Sequence, residues 1–283
     1  MPSIENTYAQ LEGLKLLETA APALGPIFTL EQLKPLADQQ NLSQSHLRKL
    51  ISDLAASGRI NILKRGTYAV TNSPLFADEI HPFAVALALV QPAAISHWSA
   101  LAQHGFTTQI PAMIQASTPR KIITPEMRKG HALRPRNRAV WRALDLEIEF
   151  IYVQPRQFFG HQTIWVNRWQ KVQVTDLERT ALDLIARPDV FGGMRAAIEI
   201  FEDALPRISV AKLVEYALKY DVVALMKRIG WLLEQLGIPA PEIEPLQKHS
   251  VTSYYRLDPQ NPASPNYNAR WHIIENIKVS QHA

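Results

Sequence analysis

The sequence predicts an α+β fold in two parts, and three observations carry that prediction. Residues 42–70 run from a capped amphipathic helix through a glycine stop into two short β-runs joined by a Lys64-Arg65-Gly66 tip. Residues 79–280 mix helical and strand patterns and turn mainly helical from Asp176 onward. At 283 residues, with 47% hydrophobic and 20% charged side chains, the chain has enough apolar material for two cores. The expected organisation is an N-terminal winged helix-turn-helix over 1–75 and a larger mixed α/β part over 79–283, with the boundary at Thr71–Asp78, where Asn72, Ser73 and Pro74 interrupt the patterning.

Taken in order, the first helix is expected near Tyr8–Ala20, supplying Leu11, Leu14 and Leu17 to a small core. Thr29 and Gln32 have the spacing of a capping box, with Phe28 and Leu33 as its hydrophobic staple. Pro35 argues that this second helix starts nearer Lys34 or bends there, because an interior proline costs about 3 kcal/mol. The third helix is better specified. Ser43 can cap it, Leu42 and Leu47 can staple it, and Gly58 after Ser57 is the left-handed stop. Leu47, Leu50, Ile51 and Leu54 keep the i, i+3, i+4, i+7 spacing of one buried face.

The opposite face of that helix carries Ser45, Arg48, Lys49 and Ser52, with Gln44 and His46 at its N-terminal end. Hydroxyls, guanidinium and ammonium groups on a free helix face suit a major groove, where phosphates and base edges accept hydrogen bonds. Lys64 and Arg65 at the hairpin tip then suit a minor groove or a phosphate row. From Ser43 to Gly66 there are five basic residues against one acid, Asp53, although residues 1–75 as a whole are nearly balanced at seven against six. Double-stranded DNA is therefore the first expected partner. One such module gives limited specificity, so a homodimer, or two sites bound cooperatively, is expected on a repeated operator.

In the larger part, Pro82–Val90 and Trp98–His104 pattern as helices, and Ile114–Ser117, Leu146–Val153 and Val172–Thr175 as strands. Thr175 and Glu178 have capping-box spacing before the apolar positions Leu177, Ala181, Leu184 and Ile185. Helices over Val210–Tyr220 and Val222–Leu236 follow, and Ser253–Leu257 and Trp271–Ile274 return short strands. Between Thr118 and Arg142 lie eight basic residues against a single acid, Glu126. Prolines and Gly130 make this segment mostly loop. Arg120, Lys121, Arg128, Lys129, Arg134, Arg136 and Arg138 define a second basic surface, either for a nucleic acid or anionic partner or as a solvated linker. Asp176–Pro206, with seven acids against three basic residues, is an internal partner that would compete for it.

No catalytic constellation emerges, and no enzyme is expected. Ser96, His97, Ser99 and His104 are close in sequence, but no G-x-S-x-G turn accompanies them. The spacing of His81, His97 and His104 is no metal motif, so no metal or other cofactor is expected. Glu147 and Glu149 alternate on a strand and are read as a solvated face, since the other acid and lysine of a nuclease site are missing. Gly192-Gly193 is an isolated pair that opens a helix rather than a phosphate loop. The six tryptophans are assigned to the core. No cysteine is present, which excludes disulfides and thiolate chemistry. The longest apolar run, Phe83–Val90, is far too short for a membrane span, and with no leader-like N-terminus a cytoplasmic location is expected.

The chain resembles the AbiEi family of type IV antitoxins, transcriptional regulators of abortive-infection (viral-defence) toxin–antitoxin operons. The resemblance rests on ordered blocks. Leu50-x-x-x-Leu54-x-x-x-Gly58-x-Ile60 leads into Lys64-Arg65-Gly66-x-Tyr68, followed by His81-Pro82 and Ser99-Ala100-Leu101-x-x-His104-Gly105. Val174-Thr175-Asp176-Leu177-Glu178-Arg179-Thr180-Ala181-Leu182-Asp183-Leu184-Ile185 and Arg228-x-Gly230-x-x-x-Glu234-x-x-Gly237 complete it, over about 50 to 240. Pro35 and the tail beyond about Pro241 fall outside the likeness. It implies a repressor that binds operator inverted repeats through its winged helix. Its second domain would neutralise a cognate nucleotidyltransferase-like toxin without necessarily forming a stable complex. The residues alone leave open a stand-alone regulator, or a protein- or RNA-interaction module with no toxin partner.

Overall fold

The computed structural model describes residues 4–71, 76, 80–130, 138–249, 251–262 and 264–278, with side chains from Glu12 onward. Most of the expected boundary at 71–78 lies outside the described residues. The chain is an α+β protein, with three sheets among the described residues. Its first helix, α1 (Ile4–Leu24), is followed by β1 (Ile27–Thr29), α2 (Leu30–Gln39), α3 (Gln44–Ala56), β2 (Ile60–Lys64) and β3 (Thr67–Val70). β1, β3 and β2 form an antiparallel sheet in that order.

The cause of each helix limit is visible. Thr29 and Gln32 close a reciprocal capping box on α2. α2 starts at Leu30 rather than near Lys34 and runs on through Pro35 to Gln39. That box fixes its first turn and Leu33 and Ala37 anchor it in the core, so the helix tolerates one missing N–H. Ser43 Oγ accepts from the His46 N–H to start α3, and Gly58 at φ +71° ends it. Leu16, Leu33, Leu47, Leu50, Leu54 and Ile60 form the centre of this first core.

The second part opens with α4 (Pro82–Leu89), β4 (Ala94–Ile95), α5 (His97–His104), β5 (Ile114–Thr118) and the short α6 (Pro125–Arg128). Then come β6 (Arg138–Ala143), β7 (Leu146–Tyr152), β8 (His161–Trp165) and β9 (Lys171–Thr175). These strands make a six-stranded mixed sheet, ordered β6-β7-β5-β4-β9-β8, with β5–β7 and β4–β9 parallel. The helical half is α7 (Leu177–Ala186), α8 (Met194–Ala204), α9 (Val210–Tyr220), α10 (Val223–Gln235) and α11 (Ala240–Gln247). A small sheet of β10 (Tyr255–Arg256), β11 (Tyr267–Asn268) and β12 (Ile273–Ile274) closes the chain. It brings the ring of Trp271 against Gly230 of α10, where any side chain would overlap the indole.

Two expectations in this part are corrected. Thr175 is not the cap of α7. Asp176 caps it, accepting from the Arg179 N–H at 2.8 Å, while Thr175 bonds Thr180 and Glu178 turns to the Ser209 N–H and Lys212. Glu149 is not a solvated carboxylate. It is 4% exposed, takes a hydrogen bond from Gln115 Nε2 at 2.8 Å and faces Arg138 at 3.5 Å. A carboxylate survives burial only with such partners.

The two parts share an apolar seam. Ile60 and Leu63, three residues apart on β2, lie on opposite faces of the strand, so that Ile60 faces the helices while Leu63 turns to the other side; the register shifts between Ile62 and Lys64. Leu63 and Ala69 thereby join Val85, Leu89 and the residues of the six-stranded sheet in one core. The first sheet is covered by helices on both faces.

Candidate nucleic-acid interface

The candidate site is the free face of α3 together with the β2–β3 tip. Burying Leu47, Leu50, Ile51 and Leu54 leaves Gln44, Ser45, Arg48, Lys49 and Ser52 exposed. Ser45 Oγ lies 3.0 Å from Ser43 Oγ at the cap. Among the described residues, neither Arg48 nor Lys49 is held in an ion pair. His46 is also exposed, but its Nε2 meets Glu12 Oε2 of α1 at 3.0 Å, so its ring is turned back onto the protein.

The tip is pinned rather than loose. Gly66 adopts φ +75°, and its carbonyl accepts from the Leu30 N–H at 2.9 Å, tying the turn to the start of α2. Arg65 projects into solvent. Lys64 does not: its Nζ donates to the Leu89 carbonyl at the end of α4, at 2.8 Å. Burial, and then the nearby Arg120, hold the Lys64 ammonium below its ordinary range. The role expected of Lys64 at the tip is thus taken over by an internal contact. Sequence reasoning missed Ile62, which strand alternation places on the face of Ile60 and which is 61% exposed next to the tip.

The second basic segment divides. Arg120, Lys121, Arg128 and Lys129 are exposed, the last two at the end of α6. Lys121 stands over the Tyr152 ring at 5.9 Å. Arg134 and Arg136 lie outside the described residues. Arg138 is spent inside the protein on Glu149 and on Asp189, at 2.8 Å. The segment is therefore no continuous surface ending at Arg138, because β6 makes that arginine part of the sheet.

Behind these surfaces lies a buried polar seam. Ser96 Oγ meets His97 Nδ1 at 2.8 Å and accepts from Ser117 Oγ at 2.9 Å. His97 is 1% exposed, stacks on Phe191 and has no partner for Nε2 among the described residues. Burial, reinforced by Arg187, Arg179 and Arg138 against the pull of Asp183, lowers its pKa to about 4. A serine–histidine contact with no opening to solvent reaches no substrate in this conformation. His104 Nε2 is engaged by the Thr175 carbonyl at 2.6 Å. Among the described residues, no group of three or more histidines and acids converges as a metal site, and no helix is long and apolar enough to cross a membrane.

What the geometry defines is an α+β protein with a basic face exposed on α3. No family model matches the chain, and no curated protein matches it. Among solved structures, the crystal structure of the RV2827C protein from Mycobacterium tuberculosis is similar, with a TM-score of 0.57 over 93% of this chain and 90% of that chain. At 14% identity that likeness is one of fold.

Proposed function

We propose that the chain is a DNA-binding transcriptional repressor whose α2, α3 and β2–β3 hairpin work as a winged helix-turn-helix. The observation that carries this reading is the pair of cations, Arg48 and Lys49, with no ion-pair partner among the described residues, on the exposed face of a helix fixed by its own apolar core. Ser45, Arg48 and Lys49 would lie nearest the bases, Gln44 and Ser52 beside them, and Arg65 along the adjacent backbone. In line with the resemblance to AbiEi antitoxins, the repressor would act on its own operon through inverted repeats. Residues 79–283 would neutralise a nucleotidyltransferase-like toxin in the cytoplasm, as part of abortive-infection defence.

The test is a gel-shift titration on duplex DNA from upstream of its own gene at two salt concentrations. The wild-type protein is expected to bind specifically and to weaken steeply with salt, as phosphate contacts require. Arg48→Ala is expected to cost about 1–3 kcal/mol of specific affinity. Operator affinity unchanged in Arg48→Ala would remove α3 as the reader.

A further inference from the structure

A groove of about 710 Å³ lies between the end of α4 and the outward face of β8 and β9, and none of its lining residues belongs to α3. Its lining combines Arg120 and Lys171 with the rings of Phe158 and His161 and the polar side chains of Thr163 and Gln173, and contains no acid. The sheet builds this arrangement. His161, Thr163 and Trp165 alternate onto one face of the edge strand β8, and Lys171 and Gln173 do the same on β9. Gln173 Nε2 donates to Thr163 Oγ1 at 2.7 Å across the ladder. On the other side, Thr118 Oγ1 donates to the Pro92 carbonyl at 2.7 Å and accepts from the Arg120 N–H at 3.2 Å, which ties the turn bearing Arg120 to the rim of the groove.

Two residues beyond Thr163 the strip ends in Trp165, which is 62% exposed and cross-strand from Lys171. Lys171 Nζ sits 4.4 Å from the centre of that indole. Phe158 and His161 have ring centroids 4.3 Å apart at the opposite end. His161 titrates near 4, mainly through burial and then through Arg179, so its ring is neutral at pH 7. Among the described residues, neither Arg120 nor Lys171 is held by a carboxylate. Cations without acids select an anion, and aromatic rings at intervals between them select flat, unpaired bases. From His161 to Trp165 the strip runs roughly 13 Å at about 3.3 Å per residue, longer than a single phosphate needs. A duplex keeps its bases inside and offers these rings nothing.

We propose that this groove binds single-stranded nucleic acid, with Arg120 and Lys171 on phosphates and Trp165 stacked on a base. The site is independent of the duplex reading of α3. The experiment is fluorescence anisotropy of the full-length protein with labelled oligo(dT) and oligo(U), beside a duplex of mixed sequence as competitor. Binding of at least one single strand is expected, with Trp165→Ala and Lys171→Ala each weakening it about tenfold. Arg48→Ala is expected to leave it unchanged. The ratio between the two oligonucleotides then tells whether RNA or DNA is the natural ligand. Since Trp165 and Lys171 are exposed, both variants should keep the thermal midpoint of the wild type. The proposal is overturned if the Trp165→Ala, Lys171→Ala double variant binds like wild type. It is equally overturned if Arg48→Ala abolishes the binding, which would assign it to α3, or if neither oligonucleotide binds.

Discussion

Arg48 on α3 points into solvent from a helix whose other side is wholly apolar, whereas Arg179 on α7 is 1% exposed. The guanidinium of Arg179 donates to Asp183 Oδ1 at 3.0 Å and to the carbonyls of Gln157 and Phe159, and lies 4.9 Å from the Phe159 ring. The same side chain thus serves two ends. Around α3 the fold rests mainly on apolar packing, and among the described residues Arg48 and Lys49 are held in no ion pair. In the seam the charges belong to the fold: they hold the loop before β8 against α7, and removing one would leave the others buried and unpaired. A local excess of arginine therefore says little about binding until the fold has decided which arginines it consumes. Arg138, taken by Glu149 and Asp189, makes the same point within the second basic segment.

The sharpest way to break this contrast is Arg179→Met. The variant removes five donors but leaves Asp183 and two carbonyls in place, and breaking a buried pair from one side costs about 3–5 kcal/mol. Denaturant unfolding should register a loss of that size. Adding Asp183→Leu should recover part of it, since a buried pair replaced on both sides by apolar groups is far less costly than a broken one. A loss below about 1 kcal/mol in the single variant would mean that the seam is not what holds α7 to the sheet.

Acid should expose the same region. His97 titrates near 4 in the fold against about 6.5 when free, with burial the main cause. Its folded pKa is depressed, so below pH 6.5 the unfolded chain binds more protons than the native one. The stabilisation is complete above pH 6.5 and is lost as the pH falls to about 4, by about 3 kcal/mol for His97. His161 shifts in the same direction over the same window. Depressed carboxylates such as Glu178 and Asp189 lose their contribution lower, as pH falls through their folded values. Unfolding free energy measured from pH 7 to 4.5 should therefore decline well before the carboxylates titrate. A flat profile across that range would show that His97 takes up a proton without cost in the native state.

The two regions also differ in how much of them the sequence discloses. α3 is legible because its signals are local: Ser43, the four apolar positions and Gly58 fall within one short stretch and each acts on its near neighbours. The seam is not: Asp183 is one helical turn from Arg179, but its other partners, residues 157, 159 and 220, are brought there only by tertiary packing. Local spacing there even misleads. Thr175 and Glu178 satisfy a capping pattern that loses to Asp176, since Glu178 has a better use in receiving Ser209 and Lys212. The edge strands β6 and β8 were hidden for a related reason. β6 begins inside a charge-rich segment that reads as loop, and β8 is half polar because one face looks outward. Trp165 illustrates the cost of reasoning by residue type. Trp271, assigned to the core, is fully buried, while Trp165 is mostly exposed.

The smallest expected effect tests the other half of the contrast. Arg48→Ala and Lys49→Ala remove cations that touch nothing charged among the described residues, so each should leave stability within about 0.5 kcal/mol of wild type. Alanine is also the better helix former, which offsets what little packing the side chains provide. Thermal unfolding of the two single variants and the double variant should give curves that superimpose on the wild type. Gel-shift titration of the same samples should show operator affinity falling. That separation is what a surface reserved for a partner requires. Were the double variant destabilised by more than about 1 kcal/mol, Arg48 and Lys49 would be structural like Arg179, and the affinity loss would no longer report on DNA contact.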